Sequence, residues 1–535
     1  MATGIFFSKC GDLFDGRLRL DLLAASYENF PIVRVVDDFF NPADFALLLD
    51  DVKAHNLDAV VLVGDSHFSY AQTRNGEYLF KCLEEAGVNQ NNIEIVNLKN
   101  MVALPHPRDH QMLLQQKAKL LTDAAVEKLR HSHPIATVEI APRKAVAIIG
   151  LSSAALVVAQ HLLEAGYKVF FLNEKAEIKL PDEEIKSLRP TMVFVERHPR
   201  LTMFSTASVT DFNGYPGDFS LTFTAEGRDV EIQVGAAVLS LQSNSAMVKM
   251  FQTMFHIDIN NDGTLVALDD VTARSQTQDR GIFVINPQKL EGAELGQGFM
   301  AADAVASMVI RLLNQKEIHH AVKVSEVKSE LCSGCGACVK TCMFHAVTLA
   351  GSPLVSHIEP RRCRGCGNCV TACPTDARDL VASPHNALFG AIDIFSQFQS
   401  GPKVLLIACE GCGYRCLNNG AESGATWPVG VMPLRVVCGG QIDTRLIIHA
   451  FVKGFDGVGL VICGEGCCHN IIGNVDLERR ANLLREILGS RGIDEGNMKV
   501  IATCSRTGQE CIDNVNEFYR QFAGLEQADS TVLLR

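Results

Sequence analysis

No uninterrupted apolar run of about 18 residues occurs in this chain, so a membrane-spanning helix is not expected. Runs such as Ala145 to Leu151 are short and read as core strands. Basic residues are outnumbered: 49 Lys and Arg against 61 Asp and Glu leave a net charge of −12, and no Lys/Arg run stands out. That balance argues against a nucleic-acid partner, which needs concentrated positive charge. Met1 to Arg19 lack the apolar stretch of a signal peptide, and a cytoplasmic location is expected. Cysteine is nearly missing from the front of the chain, where only Cys10 and Cys82 precede Cys332.

The remaining seventeen of the 19 cysteines crowd into the part from Cys332 onward. Disulfide scaffolds are small, secreted and evenly laced with cysteine. Clustered C-x-x-C pairs in a chain of 535 residues point instead to metal or iron–sulfur ligation.

That length exceeds what one core supports, and the pattern is multidomain α/β. Residues 1–140 alternate strand-like runs (Gly4 to Phe7, Pro31 to Val36, Asp58 to Val63) with helical spacing at Phe45 to Ala54 and Tyr78 to Ala86. His131 to Pro142, bracketed by prolines, reads as a linker. Residues 141–322 form a second α/β unit with a strand at Ala145 to Ile149, a helix at Ser152 to Ala165 and a strand at Lys168 to Leu172. It continues with a β-rich stretch and a helix at Ala301 to Leu313, then the short polar connection Asn314 to Val322. Residues 323–385 hold two related cysteine units, and 400–535 a last α/β domain.

The repeat is specific: Cys332-x2-Cys335-x2-Cys338-x3-Cys342 is followed by Cys363-x2-Cys366-x2-Cys369-x3-Cys373. Three cysteines at this spacing reach three corners of an iron–sulfur cube, and the fourth ligand comes from the other run. One [4Fe–4S] cluster is therefore expected on Cys332, Cys335, Cys338 and Cys373, and a second on Cys363, Cys366, Cys369 and Cys342. Gly334, Gly336, Gly365 and Gly367 suit the tight loops. Zinc ribbons also use C-x2-C pairs, but the three-plus-one repeat made twice fits a bacterial ferredoxin better.

Cys409, Cys412, Cys438, Cys463 and Cys468 fall at or near strand ends, where open α/β sheets place their sites. They could supply four ligands of a [2Fe–2S] cluster; spacing alone leaves zinc or buried free thiols equally open. The runs Ala408 to Tyr414, Leu434 to Asp443 and Ile462 to His469, with Ile472 to Asn474, resemble the delta subunit of methyl-viologen-reducing hydrogenase. The resemblance implies an electron adaptor with one [2Fe–2S] cluster drawn from those five cysteines. His345 and His469 stand near cysteines and read as surface or supporting histidines.

Residues from Gly4 to the ferredoxin repeat resemble the HdrA family of heterodisulfide reductases in shortened form, through Gly4 to Phe7, Cys10–Gly11, His55 to Val63 and Cys82 to Gly87. Ser8 and Gly64–Asp65–Ser66 stand where that family has cysteines, so an N-terminal cluster is not expected and Cys10 and Cys82 read as inert thiols. The family binds FAD, and the corresponding fingerprint here is Gly150, Ser152 and Ala155, with Glu174 at the ribose position. Ser152 replaces the glycine that lets pyrophosphate approach. Gly281 to Val284 is followed by Asn286–Pro287, where the family has small residues against the flavin. A retained scaffold with a degenerate, doubtful FAD site is expected.

A similar fusion occurs in the second subunit of quinone-interacting membrane-bound oxidoreductase. The resemblances imply an iron–sulfur electron-transfer subunit of an anaerobic oxidoreductase complex, with no catalytic residue of its own. Its partners would be redox subunits of hydrogenase, formate dehydrogenase, heterodisulfide reductase or sulfur-metabolism type, with docking to a membrane complex allowed. The alternative is an FAD-containing, electron-bifurcating or confurcating enzyme.

Overall fold

The structure is a computed structural model that describes residues 1–71, 74–174, 182–241, 247–248, 251, 257–259, 265–267, 277, 279–285, 293–399, 401–504 and 508–523. The chain divides into two compact units: Met1–Ile135 together with Lys323–Arg535, and Ala136–Val322.

The first unit contains two four-stranded parallel sheets. One is built from Thr3–Ser8, Ile32–Val36, Ala59–Gly64 and Ile93–Asn97, the other from Val404–Cys409, Val431–Val436, Gly457–Cys463 and Met498–Thr503. In both, the strand first in sequence pairs with the second and third, and the third pairs with the fourth. Strands covered on both faces read as unbroken apolar runs. Ala59–Gly64 and Val404–Cys409 are buried along their whole length. Ile5, Phe7 and Val61 share one hydrophobic core with Leu405, Ile407 and Leu460. Leu114 and Ala118 of helix Gln111–Arg130, and Leu388 and Ile392 of helix His385–Phe395, join that core.

The two registers superimpose. Ser8 faces Val36 as Cys409 faces Val436, and Phe7 faces Val63 as Ala408 faces Val461. Two residues past those partners, Asp38 and Asp65 hold the positions that Cys438 and Cys463 hold in the second sheet.

The second unit has a five-stranded parallel sheet in the order Ile282–Val284, Ala236–Leu239, Ala145–Ile149, Lys168–Leu172, Leu201–Phe204. Helix Ser153–Glu164 packs on it with helix Ala293–Leu313, Leu162 and Val158 meeting Val305 and Val309 in one core. Ser208–Tyr215, Asp218–Ala225 and Arg228–Val234 form an antiparallel meander. The alternation at Phe219 to Phe223 belongs to its central strand.

Both expected connections contain strand. Thr137–Ile140 and Ile318–Ala321 pair antiparallel, Ile140 opposite Ile318, so the chain's entry to this unit is zipped to its exit. The flanking prolines disguise a four-residue strand whose partner lies far along the chain. Among the described residues no helix is long and apolar enough to cross a membrane.

Candidate metal centres

Cys332, Cys335, Cys338 and Cys373 line one open cavity together with Gly334, Gly336 and Arg378. Gly334 and Gly336 have φ of +67° and +77°, Gly365 and Gly367 of +62° and +85°, so both C-x2-C-x2-C loops use the left-handed backbone expected of tight cradles. Cys335 is exposed, and the N–H of Ala337, with the Ser333 side chain, holds its thiol below the usual range. Cys342, Cys363, Cys366 and Cys369 gather close enough for their charges to couple. Burial pushes the Cys363, Cys366 and Cys369 thiols up, against backbone N–H groups of Ser325 and Gly365 at Cys363 and of Asn368 at Cys366. A bound cation would overturn that burial cost, because a coordinating thiol is deprotonated outright. Both sets fit a four-thiolate cluster.

The five C-terminal thiols also converge. Cys409 Sγ lies 3.6 Å from Cys463 Sγ, and Cys463 interacts with Cys412 and Cys468 as well. Cys468 in turn interacts with Cys438, completing a chain of sulfurs. Gly413 and Gly440 donate backbone N–H bonds to Cys409 and Cys438, both at 3.4 Å. His469 belongs to this set: its Nε2 lies 3.2 Å from Cys412 Sγ, and it forms with Cys412 and Cys463 a buried trio able to hold a metal ion. Gly411 makes room, since a Cβ there would run into the His469 ring. The sequence pattern set this histidine aside; its place directly after Cys468 was the available signal. Burial alone would raise the carboxyl of Glu410, between Cys409 and Cys412, but the Arg435 guanidinium at 3.0 Å holds it well below the usual carboxylate range. Cys416 lies apart from this chain of sulfurs, bonded to the Cys504 carbonyl oxygen at 2.7 Å and close to Cys511.

The inner ferredoxin set and the C-terminal set adjoin. Cys366 packs against the core that contains Cys438, and the charges of these two thiols couple. Glycines form the seam: a Cβ on Gly440 would collide with Asn368 Oδ1, one on Gly367 would stand 2.8 Å from Gln441 Cα, and one on Gly473 2.5 Å from Cys438 Sγ. Thr371 Oγ1 donates to the Gly440 carbonyl at 2.9 Å.

Arg378, which sequence reasoning missed, is buried at 3% exposure between the two ferredoxin sets. Its signal was the repeat itself: Cys342 and Cys373 correspond, so Arg378 stands at the position of Val347.

In the second unit, Ser152 caps helix Ser153–Glu164, its Oγ accepting from Ala155 N–H at 3.1 Å and lying 2.7 Å from Ser240 Oγ. Gly150 has φ of +91°, and a Cβ there would strike the Ser240 carbonyl. A dinucleotide site leaves this helix start open to pyrophosphate. Here the Ser152 and Ser240 hydroxyls fill it, and the described residues do not fit a flavin pyrophosphate. Glu174 does follow the strand Lys168–Leu172, while Asn286 and Pro287 lie outside the described residues.

Residues 404–526 match the family described as methyl-viologen-reducing hydrogenase, delta subunit. Residues 331–377 match the 4Fe–4S dicluster domain, so the chain carries such a domain. The HdrA-type subunit of the ferredoxin/F(420)H(2)-dependent CoB-CoM heterodisulfide reductase of Methanosarcina acetivorans is 30% identical over 228 residues, 43% of this chain and 29% of that protein. The delta-type iron-sulfur subunit of the F420-non-reducing hydrogenase vhc of Methanococcus voltae is 28% identical over 118 residues, 22% of this chain and 82% of its own length. An oxidoreductase from Agrobacterium tumefaciens of known structure aligns with 32% of this chain and 99% of its own at 15% identity and a TM-score of 0.21. The chain is thus an HdrA-like iron–sulfur protein with a C-terminal domain of the hydrogenase delta type. It spans about a third of the length of the heterodisulfide reductase subunits it matches.

Proposed function

We propose that this chain is an electron-transfer subunit that relays single electrons between a C-terminal [2Fe–2S] centre and a partner oxidoreductase through two [4Fe–4S] clusters. The C-terminal centre draws on Cys409, Cys412, Cys438, Cys463 and Cys468; Cys342, Cys363, Cys366 and Cys369 hold the inner cubane, and Cys332, Cys335, Cys338 and Cys373 the outer one. The observation that carries this reading is the order of the sulfurs. Cys438 adjoins Cys366, and the opposite set opens to solvent at Cys335. Bound clusters supply one-electron redox chemistry. The chain's residues hold them in sequence, keep water from the inner pair and present the outer one to a partner. The partners are redox subunits of hydrogenase, formate dehydrogenase, heterodisulfide reductase or sulfur-metabolism type, as the relatives' complexes suggest.

Metal analysis of anaerobically purified protein tests this. The expected content is about ten irons per chain with negligible zinc, and magnetic coupling between the inner cubane and the C-terminal centre in the reduced state. About eight irons would remove the C-terminal [2Fe–2S] centre, and zinc without iron would end the electron-transfer reading.

A further inference from the structure

Arg378 is a cation buried without a carboxylate. Among the described residues its guanidinium makes two hydrogen bonds, both to serine hydroxyls: one Nη donates to Ser325 Oγ at 3.1 Å and the other to Ser356 Oγ. Its Nε has no hydrogen-bond partner. An uncompensated buried charge costs several kcal/mol, and side chains in this situation are normally paired or removed by selection. Neutral hydroxyls do not supply the missing negative charge.

The two serines show where it comes from. Ser356 Oγ lies 3.3 Å from Cys338 Sγ, a member of the outer set. Ser325 bonds Cys369 through its side chain and Cys363 through its backbone N–H, both members of the inner set. The two tines of the fork therefore end on different cysteine sets. Arg378 also lines the outer cavity directly, and its charge is felt at Cys363 and Cys369. At the matching point of the first repeat the chain has Val347, buried at 3% exposure. The same niche accepts an aliphatic side chain, so shape alone does not demand arginine.

We propose that Arg378 is the shared counter-charge of the two [4Fe–4S] clusters and sets both of their reduction potentials. The inference rests on the reading that both cysteine sets carry such clusters. Four thiolates outweigh the positive iron–sulfide core, and each electron taken up adds one more negative charge. A guanidinium fixed between the clusters in a medium of low dielectric stabilises the reduced form of each more than the oxidised form, so it raises both potentials. It also lowers the repulsion between two reduced clusters, which lets both hold an electron at once.

The test is an EPR-monitored redox titration of the full, anaerobically purified chain with iron counted in every sample. R378V, copying the first repeat, and R378Q, keeping a hydrogen-bonding head without charge, are compared with R378K and with the surface control R491Q. In both neutral variants each cubane is expected to become at least tenfold harder to reduce, about 59 mV for one electron. R378K and R491Q should stay near the parent. If R378V does not assemble its clusters, R378Q carries the measurement. A second readout has the opposite sign: stripped of metal, R378V should resist urea better than the parent, because the apoprotein buries an unpaired charge. Unchanged cubane potentials in R378V or R378Q with full iron would overturn the role of Arg378 alone. Absence of the cubane iron in the parent would instead remove the reading on which it rests.

Discussion

Ser152 Oγ and Ser240 Oγ stand 2.7 Å apart at the start of the helix that a dinucleotide would approach. The second unit thus answers its own helix N-terminus from within. The parent chain is expected to retain no flavin, measured as released chromophore after denaturation and by equilibrium dialysis against FAD. S152G should cost only a few tenths of a kcal/mol as a cap replacement, beside the lost Ser240 contact, and S152A about 1 kcal/mol. Stoichiometric FAD in the parent would contradict this and revive flavin chemistry.

The glycine seam makes a second prediction. A methyl group on Gly440 meets Asn368 Oδ1, so G440A must push the 438–441 turn away from the inner ferredoxin loop. Overpacking of this kind costs about 1–3 kcal/mol. G440A should keep its full iron content while the magnetic coupling between the inner cubane and the C-terminal centre weakens. Loss of stability with coupling unchanged would show that the seam does not set the spacing of the centres.

Lys117 provides a prediction on pH. It is fully buried, and its Nζ donates to His106 Nε2 at 2.9 Å; His106 Nδ1 lies 2.9 Å from the Trp427 carbonyl oxygen. Burial lowers the ammonium from 10.5 to about 7, and burial, followed by the Lys117 charge, lowers His106. Between about pH 7 and pH 10 the unfolded chain binds the proton that the folded chain has released, so stability rises with pH across that window. Urea midpoints of the parent should climb from pH 7 to pH 9. K117M should be flat, more stable than the parent at pH 7 by a few kcal/mol, with the gap closing as pH rises. A parent profile parallel to that of K117M would show the ammonium to be compensated in place.

How much of this was legible in sequence depended on the range of the signal. The strands at Ala145–Ile149, Lys168–Leu172 and Gly457–Cys463 announce themselves through apolar runs between turns. The ferredoxin spacing is equally local, because backbone reach ties three cysteines to one cube. The pairing of Thr137–Ile140 with Ile318–Ala321 was hidden, since neither run is long enough to declare itself and each needs the other. Ser152 stood out as a missing glycine, but only the fold shows Ser240 completing the closure. His469 and Arg378 are common residue types whose meaning comes from neighbours distant in sequence: Cys412 for one, Ser325 and Ser356 for the other.

The two sheets of the first unit share strand order and register, yet sulfur in one is oxygen in the other: Ser8 for Cys409, Asp38 for Cys438, Asp65 for Cys463. Soft iron–sulfur chemistry selects thiolates over hydroxyls and carboxylates. Burial also keeps the one thiol at that edge, Cys10, protonated, raised to about 11. The N-terminal edge is then a blind siding on the proposed relay. Traffic that arrives at Cys438 has a single onward platform, the open loop around Cys335, and any redox partner that draws current from this chain must dock there.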